Sequence, residues 1–225
     1  MHQRDLFKVG FSFCFDASSL YGWTLFFCNK NMKKAIRTEY AEKGVEAYYR
    51  SNANAYENPH FPYIQQLLEQ NQGRINYTKV LDLACGGGEV TLILRGCGFE
   101  NTTGCDPFTA RLFVKNTGLP CLNYAFEDIV KGRLTAKIEG QFSSIISSFA
   151  MHLCDEKMLY SLTNQLFMLT KNLVVITPHK RPQLERFEEF ELIFEDFVLT
   201  ERGKKVFLKS YARATLTTDL TDLTD

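Results

Sequence analysis

From Thr78 onward the chain alternates short apolar runs with longer stretches of helical spacing. Residues 78–83, 101–106, 120–125, 142–148 and 172–177 are short, apolar or β-branched, and bounded by glycine or polar turns, which predicts strands. Between them, 88–96, 108–117, 127–136 and 155–170 carry apolar residues at helical spacing. This alternation predicts a parallel sheet with right-handed crossovers. A further helix is expected near 182–193. Asp196–Thr200 and Lys204–Tyr211 then read as a closing hairpin across the turn Glu201-Arg202-Gly203. Upstream, 35–72 read as helices with a break at Asn58-Pro59. The expected class is α/β, a doubly wound and mostly parallel sheet in a single domain, since no long insertion supplies a second one.

The run Val80-Leu81-Asp82-Leu83-Ala84-Cys85-Gly86-Gly87-Gly88-Glu89-Val90-Thr91 carries the most chemistry. An apolar strand containing a carboxylate leads into a glycine loop, and a helix opens directly behind it. Such a turn forms a nucleotide-type pocket at the carboxyl end of a parallel strand, where glycines let the backbone approach a ligand closely. Asp82 argues against a dinucleotide, because a negative charge beside the loop opposes a pyrophosphate. Gly86 and Gly88 fit the dinucleotide pattern, but Thr91 fills its last glycine position. A phosphate loop of the Walker type would need a lysine and a hydroxyl residue after its final glycine, and neither is present. A ligand with a cationic amino-acid end, such as S-adenosylmethionine, suits Asp82 better.

VLDLACGGGEVT resembles motif I of the class I S-adenosylmethionine-dependent methyltransferases, roughly D/E-x-G-x-G-x-G. The resemblance extends over about residues 40–212 and implies a Rossmann-like sheet of seven strands, the last reversed, with an N-terminal helical lid. It departs from the pattern at the first glycine, Ala84; the extra methyl is tolerable if the backbone there has negative φ. By this resemblance Asp82 holds the methionine end, and the backbone of Ala84, Cys85, Gly86 and Gly88 passes under the cofactor.

Four later stations extend the match. Asp106, before Pro107, lies 18 residues beyond Gly88, where an acid can accept both ribose hydroxyls; alternatively it caps the turn into the next helix. Phe126 and Glu127 follow the third strand, at the place where relatives line the adenine, though Glu127 and Asp128 can instead cap the next helix. Ser148 ends the fourth strand, and Ala150-Met151-His152-Leu153 resembles the turn that faces the transferred methyl. His152 is a candidate for removing a proton from the acceptor; otherwise it shapes the pocket or caps the helix near Asp155. After the fifth strand, His179, Lys180 and Arg181 either recognise an anionic group or form a solvated basic turn.

Composition narrows the partners. The 225 residues are 45% hydrophobic, and Lys plus Arg equals Asp plus Glu at 26 each, for a net charge of zero. That is enough for one sizeable core, and with no long basic stripe nucleic acid is not an expected general partner. Seven cysteines are scattered without a C-x-x-C pair, so no zinc site or disulfide framework is implied, and reduced, mostly buried thiols in a cytoplasmic protein are expected. Val9–Cys28 is aromatic-rich, but Asp16 and three serines interrupt it, so neither a membrane span nor a secretory signal is expected. Residues 1–31 read as an extension, with Met32 a candidate start. Residues 32–75 form the lid, 76–213 the core and 214–225 a mobile tail. Tyr48, Tyr56, Asn58 and His60 are candidates for closing the site over an acceptor. The expected activity is methyl transfer to a small molecule. The alternatives are a cofactor-binding protein without turnover and a nicotinamide oxidoreductase.

Overall fold

The computed structural model describes residues 58–178 and 180–215. The extension 1–31, the helices expected before residue 58, Tyr48, Tyr56, His179 and the tail from 216 lie outside the described residues. Helix α1 spans Phe61–Gln70, directly after the predicted break at Asn58-Pro59. The core then runs β1 (Val80–Leu83), α2 (Glu89–Gly96), β2 (Thr102–Cys105), α3 (Ala110–Thr117), β3 (Cys121–Leu122), α4 (Phe126–Val130), α5 (Arg133–Lys137), β4 (Ser144–Ser148), α6 (Glu156–Leu169), β5 (Leu173–Thr177), β6 (Phe190–Leu199) and β7 (Lys205–Arg213).

The strands form one sheet in the order β3-β2-β1-β4-β5-β7-β6. The first five are mutually parallel, and β7 enters antiparallel between β5 and β6. Period-2 alternation sends Leu81, Leu83, Ile145, Leu173 and Val175 to one face, against Ile129 of α4, Leu134 of α5 and Leu159, Leu162 and Leu166 of α6. Val80, Ile146, Val174 and Ile176 face the other way, against Ile64, Leu67 and Leu68 of α1 and Val90, Ile93 and Leu94 of α2. The sheet is therefore wound on both faces. Each such fully buried aliphatic side chain contributes on the order of 1.5–3 kcal/mol of transfer free energy.

Two predicted elements need correction. The helix expected over 127–136 is divided by Gly132, whose φ of 76° no continuing helix can adopt. The helix expected near 182–193 is absent: Leu184–Arg186 make a single 3-10 turn and β6 already begins at Phe190. Its apolar residues miss plain alternation because a bulge falls between Leu192 and Phe194. Phe190 and Leu192 pack on one core, whereas Phe194 and Val198 pack on the opposite one. One inserted residue reverses the phase of the strand, and the linear pattern then looks helical.

Candidate active site

Topology brings the carboxyl ends of β1, β2, β3, β4 and β5 to one edge of the sheet, with the glycine loop between β1 and α2. Ala84, Gly86 and Gly88 all take left-handed conformations, with φ of 53°, 55° and 91°. Ala84 thus does not meet the condition of a negative φ under which its methyl would be tolerated without strain. The sharp exit from β1 requires the left-handed region, and alanine occupies it at a cost of about 1–2 kcal/mol. Gly88 cannot be replaced cheaply either, because a Cβ there would meet Thr117 Cγ2 at 2.6 Å. In β2 the bare backbone of Gly104 receives the Phe113 ring, which would be 2.5 Å from an added Cβ.

Three carboxyl groups surround this loop. Asp82 shares the face of Val80 and is wholly buried against α2, where its Oδ2 accepts from the Thr91 hydroxyl at 2.8 Å and the Thr91 amide at 3.2 Å. Its Oδ1 is buried without a partner among the described residues. Burial raises its pKa well above the ordinary value; the Thr91 bonds oppose the shift and the Glu89 charge adds to it. Glu89 folds back so that its Oε2 accepts from the Gly87 amide at 3.1 Å. Its pKa is also raised by burial, against the bonds from Gly87 and the Asn58 side chain. Asp106 uses Oδ1 to accept from the amides of Phe108 (2.7 Å) and Thr109 (3.0 Å), and its Oδ2 faces the Gly86 amide at 3.3 Å.

These contacts decide what the loop can attract. The Gly86 and Gly87 amides, which would cradle a phosphate, are taken by carboxylates, and the Gly88 amide donates to the Cys85 carbonyl at 2.8 Å. Such a loop repels a pyrophosphate and favours a cation. Asp106 joins the second strand to the glycine loop directly. Of its two sequence readings the structure shows the cap: Oδ1 caps the turn, while Oδ2 reaches the loop. Pro107 follows it, half-buried.

Beyond β3, Phe126 opens α4 and packs against the core, and Glu127 is exposed. Asp128 performs the capping, accepting from the Ala125 amide at 3.2 Å and from Arg133 Nη1 at 2.6 Å. At the end of β4, Ser148 is half-buried and is followed by Phe149, whose φ of 55° is a left-handed conformation in an aromatic residue. His60 stacks on Phe149 with ring centroids 4.3 Å apart, and its pKa is lowered by burial. This stack joins the start of α1 to the end of β4.

His152 lies in a 3-10 turn and shares a pocket with Met151, Cys154, Glu156, Arg181 and Arg186. Asp155, not His152, caps α6, through the Lys157 amide at 2.9 Å. Arg181 and Arg186 both reach Glu156, at 2.9 Å and 3.3 Å. Their guanidinium groups hold the exposed Glu156 below the usual carboxylate range. Lys180 is exposed. Thr91, Glu89, Phe149 and Arg186 were not identified as site residues from sequence. Glu89, directly after the glycines, was the most legible of them.

Among solved structures the chain is similar to an S-adenosylmethionine-dependent methyltransferase from Anabaena variabilis, at 14% identity and a TM-score of 0.55, covering 75% of this chain and 93% of that one. It is also similar to magnesium protoporphyrin IX methyltransferase from Synechocystis, crystallised with S-adenosylhomocysteine, at 12% identity and a TM-score of 0.54, covering 80% of this chain and 98% of that one. The chain has the class I methyltransferase fold. A glycopeptide N-methyltransferase complexed with S-adenosylmethionine has the same fold, at 12% identity and a TM-score of 0.52, covering 67% and 87% of the two chains. No family model matches the sequence. An uncharacterized protein of Schizosaccharomyces pombe is 29% identical over 197 residues, covering 69% of this chain and 79% of that protein. Among the described residues no helix is long and apolar enough to cross a membrane, and no cluster of His, Cys, Asp or Glu could hold a metal ion.

Proposed function

We propose that the chain is an S-adenosylmethionine-dependent methyltransferase acting on a small molecule. The observation that carries this is the glycine loop ringed by Asp82, Glu89 and Asp106, with its phosphate-binding amides already occupied. S-adenosylmethionine has an ammonium and a sulfonium, so it meets this carboxyl ring with attraction where a dinucleotide meets repulsion. The orphaned Oδ1 of Asp82 offers the cofactor's methionine end a buried acceptor, reached directly or through water. Asp106 holds the ribose, with Pro107 beside it, and the backbone of Ala84, Cys85, Gly86 and Gly88 passes beneath. Phe126, Glu127 and Ser148 complete the cofactor's surroundings. Cofactors of similar structures support the same assignment.

The bound cofactor supplies an electrophilic methyl on sulfur. The protein's part is alignment of the acceptor atom with that methyl and exclusion of water. His152 takes a proton from an acceptor that is not already ionised. Tyr48, Tyr56 and His60 belong to the lid, and the His60–Phe149 stack gives that segment a contact at the methyl-facing edge. Arg181, with His179 and Lys180, favours an anionic acceptor. The division into extension 1–31, lid 32–75, core 76–213 and tail 214–225 accompanies this proposal, as does a cytoplasmic site, supported by five free thiols among the described cysteines.

Calorimetric titration of the full chain with S-adenosylmethionine, S-adenosylhomocysteine and NAD tests the assignment. Binding of the first two and not the third is expected. Binding of NAD alone would overturn it, and silence towards all three would favour a protein without turnover.

A further inference from the structure

The described residues hold one concentration of thiols that the proposed transfer does not use. Cys85 lies in the glycine loop, Cys105 ends β2 and Cys121 opens β3. They are far apart in sequence, but the parallel pairing of β1 with β2 and of β2 with β3 sets them side by side. The Sγ atoms of Cys85 and Cys121 are 3.6 Å apart. Cys85 is buried, whereas Cys121 is half-buried and therefore the one a solute can reach. Cys121 Sγ also lies 3.9 Å from the carbonyl of Asp106.

The two sulfurs are not equivalent. The contact with Cys85 lowers the pKa of Cys121, against the opposing effects of burial and the Asp106 charge. Cys85 is pushed the other way by the same contact and by burial. Ionisation is therefore favoured at the more accessible sulfur, with the buried Cys85 sulfur 3.6 Å behind it. Cys105 is pushed up to about 12 by burial and turns its sulfur to the Tyr124 carbonyl at 3.7 Å. It takes no part in the pair.

We propose that Cys121 and Cys85 form an oxidation site for hydroperoxides, and that the resulting disulfide ties the glycine loop to β3 and weakens cofactor binding. The second half rests on the S-adenosylmethionine assignment; the first does not. Cys121 thiolate attacks a peroxide oxygen, the O–O bond breaks, and the departing oxygen leaves as water or an alcohol after protonation. Cys121 is then a sulfenic acid. Cys85, giving up its proton, attacks that sulfur; the S–S bond forms, the S–O bond breaks, and water leaves. Two thiols are oxidised by two electrons and one peroxide is reduced.

Closure from 3.6 Å to a disulfide bond requires an approach of about 1.5 Å. The loop has little freedom to absorb it, because Ala84 and Gly86 flank Cys85 in left-handed conformations and the Gly86 amide is held by Asp106. Movement of Cys85 therefore disturbs the contact between the loop and the second strand, at the place where the cofactor is to lie.

The test treats the full, pre-reduced chain with hydrogen peroxide, followed by thiol alkylation, peptide mapping and titration with S-adenosylmethionine. The expected product is a Cys85–Cys121-linked peptide that has lost two hydrogens, is reversed by dithiothreitol and is absent in Cys121→Ser. Oxidation should weaken S-adenosylmethionine binding by about tenfold or more, a change of about 1.4 kcal/mol, with recovery on reduction. Sulfenic or sulfinic acid at Cys121 without the cross-link, or a cross-link to another cysteine, would overturn the pair. A cross-link with unchanged affinity would overturn its control of binding. If the reduced chain forms the cross-link yet never binds S-adenosylmethionine, the cofactor assignment fails and the oxidation site stands. Cys85→Ser should give a persistent Cys121 sulfenic acid, trapped by dimedone, provided its circular dichroism matches the parent.

Discussion

The two ends of the ligand edge are built differently. Around β1–β3, every carboxylate near the glycine loop is at least nine-tenths buried, and each is bonded to a backbone amide of the loop, the helix behind it or the next turn. Around the ends of β4 and β5 the charged groups are exposed: Arg181 retains 66% of its side-chain surface and Arg186 41%, and both share Glu156. The first end is preorganised, with backbone and side chains fixing one another. The second is held by solvated ion pairs that cost little to rearrange. Under the proposed function, the cofactor rests on the buried geometry and acceptor choice on the adaptable surface.

The largest effect should come from breaking the rigid end. Gly88→Ala combines a left-handed φ with a Cβ 2.6 Å from Thr117, so it should lower stability by about 2–4 kcal/mol in denaturant titration and abolish S-adenosylmethionine binding. Asp106→Ala leaves the amides of Gly86, Phe108 and Thr109 without their acceptor. It should weaken S-adenosylmethionine binding by about 1–3 kcal/mol in calorimetry; unchanged affinity would remove Asp106 from the site. Ala84→Gly should act in the opposite sense and raise stability by about 1 kcal/mol, because it relieves the one non-glycine left-handed residue of the loop. A loss of stability there would show that the conformation of Ala84 is not strained.

Glu89→Gln sharpens the electrostatic side of the comparison. The pKa of Glu89 is raised on folding, so the native state binds its proton more tightly than the unfolded chain does. Stability from this group is present below the unfolded value of about 4.3 and is lost as pH rises through the raised folded value. Thermal melts of Glu89→Gln should thus lose that decline at weakly acidic pH, and the Tm at neutral pH should equal or exceed the parent's. Cofactor affinity should fall, because a cation loses one of its carboxylates. The smallest effect belongs to the adaptable end. Arg181→Ala should leave the Tm and S-adenosylmethionine affinity unchanged and should alter only which anionic acceptors are used. A drop in cofactor affinity would show that the two ends are coupled.

Much of this was legible from the order of residues. Short apolar runs at 80–83 and 173–177, the glycine loop and the acid at 106 are local signals, readable because strand alternation, loop glycines and short spacings act within a few residues. The terminal hairpin was legible from its turn, but its first strand was half missed, since the bulge at Ile193 reverses the phase that alternation depends on. Asp82 is legible as a carboxylate beside the glycine loop, yet its bond to Thr91 is not, because a helix must first pack across the strand to bring Thr91 there. For the same reason Thr91 entered only as a missing glycine.

The sequence by itself determined the parallel α/β architecture, the glycine loop at the end of its first strand and the sign of the charge beside it. These follow from local periodicity and from residue types that act where they stand. Only the tertiary structure decided which amides those carboxylates occupy, that Ala84 must be left-handed, and that His60 meets Phe149. It alone also placed Cys85 against Cys121, 36 positions away. Such contacts arise from sheet register and helix packing, where distant segments are brought within a few ångströms by a core that no short stretch of sequence contains.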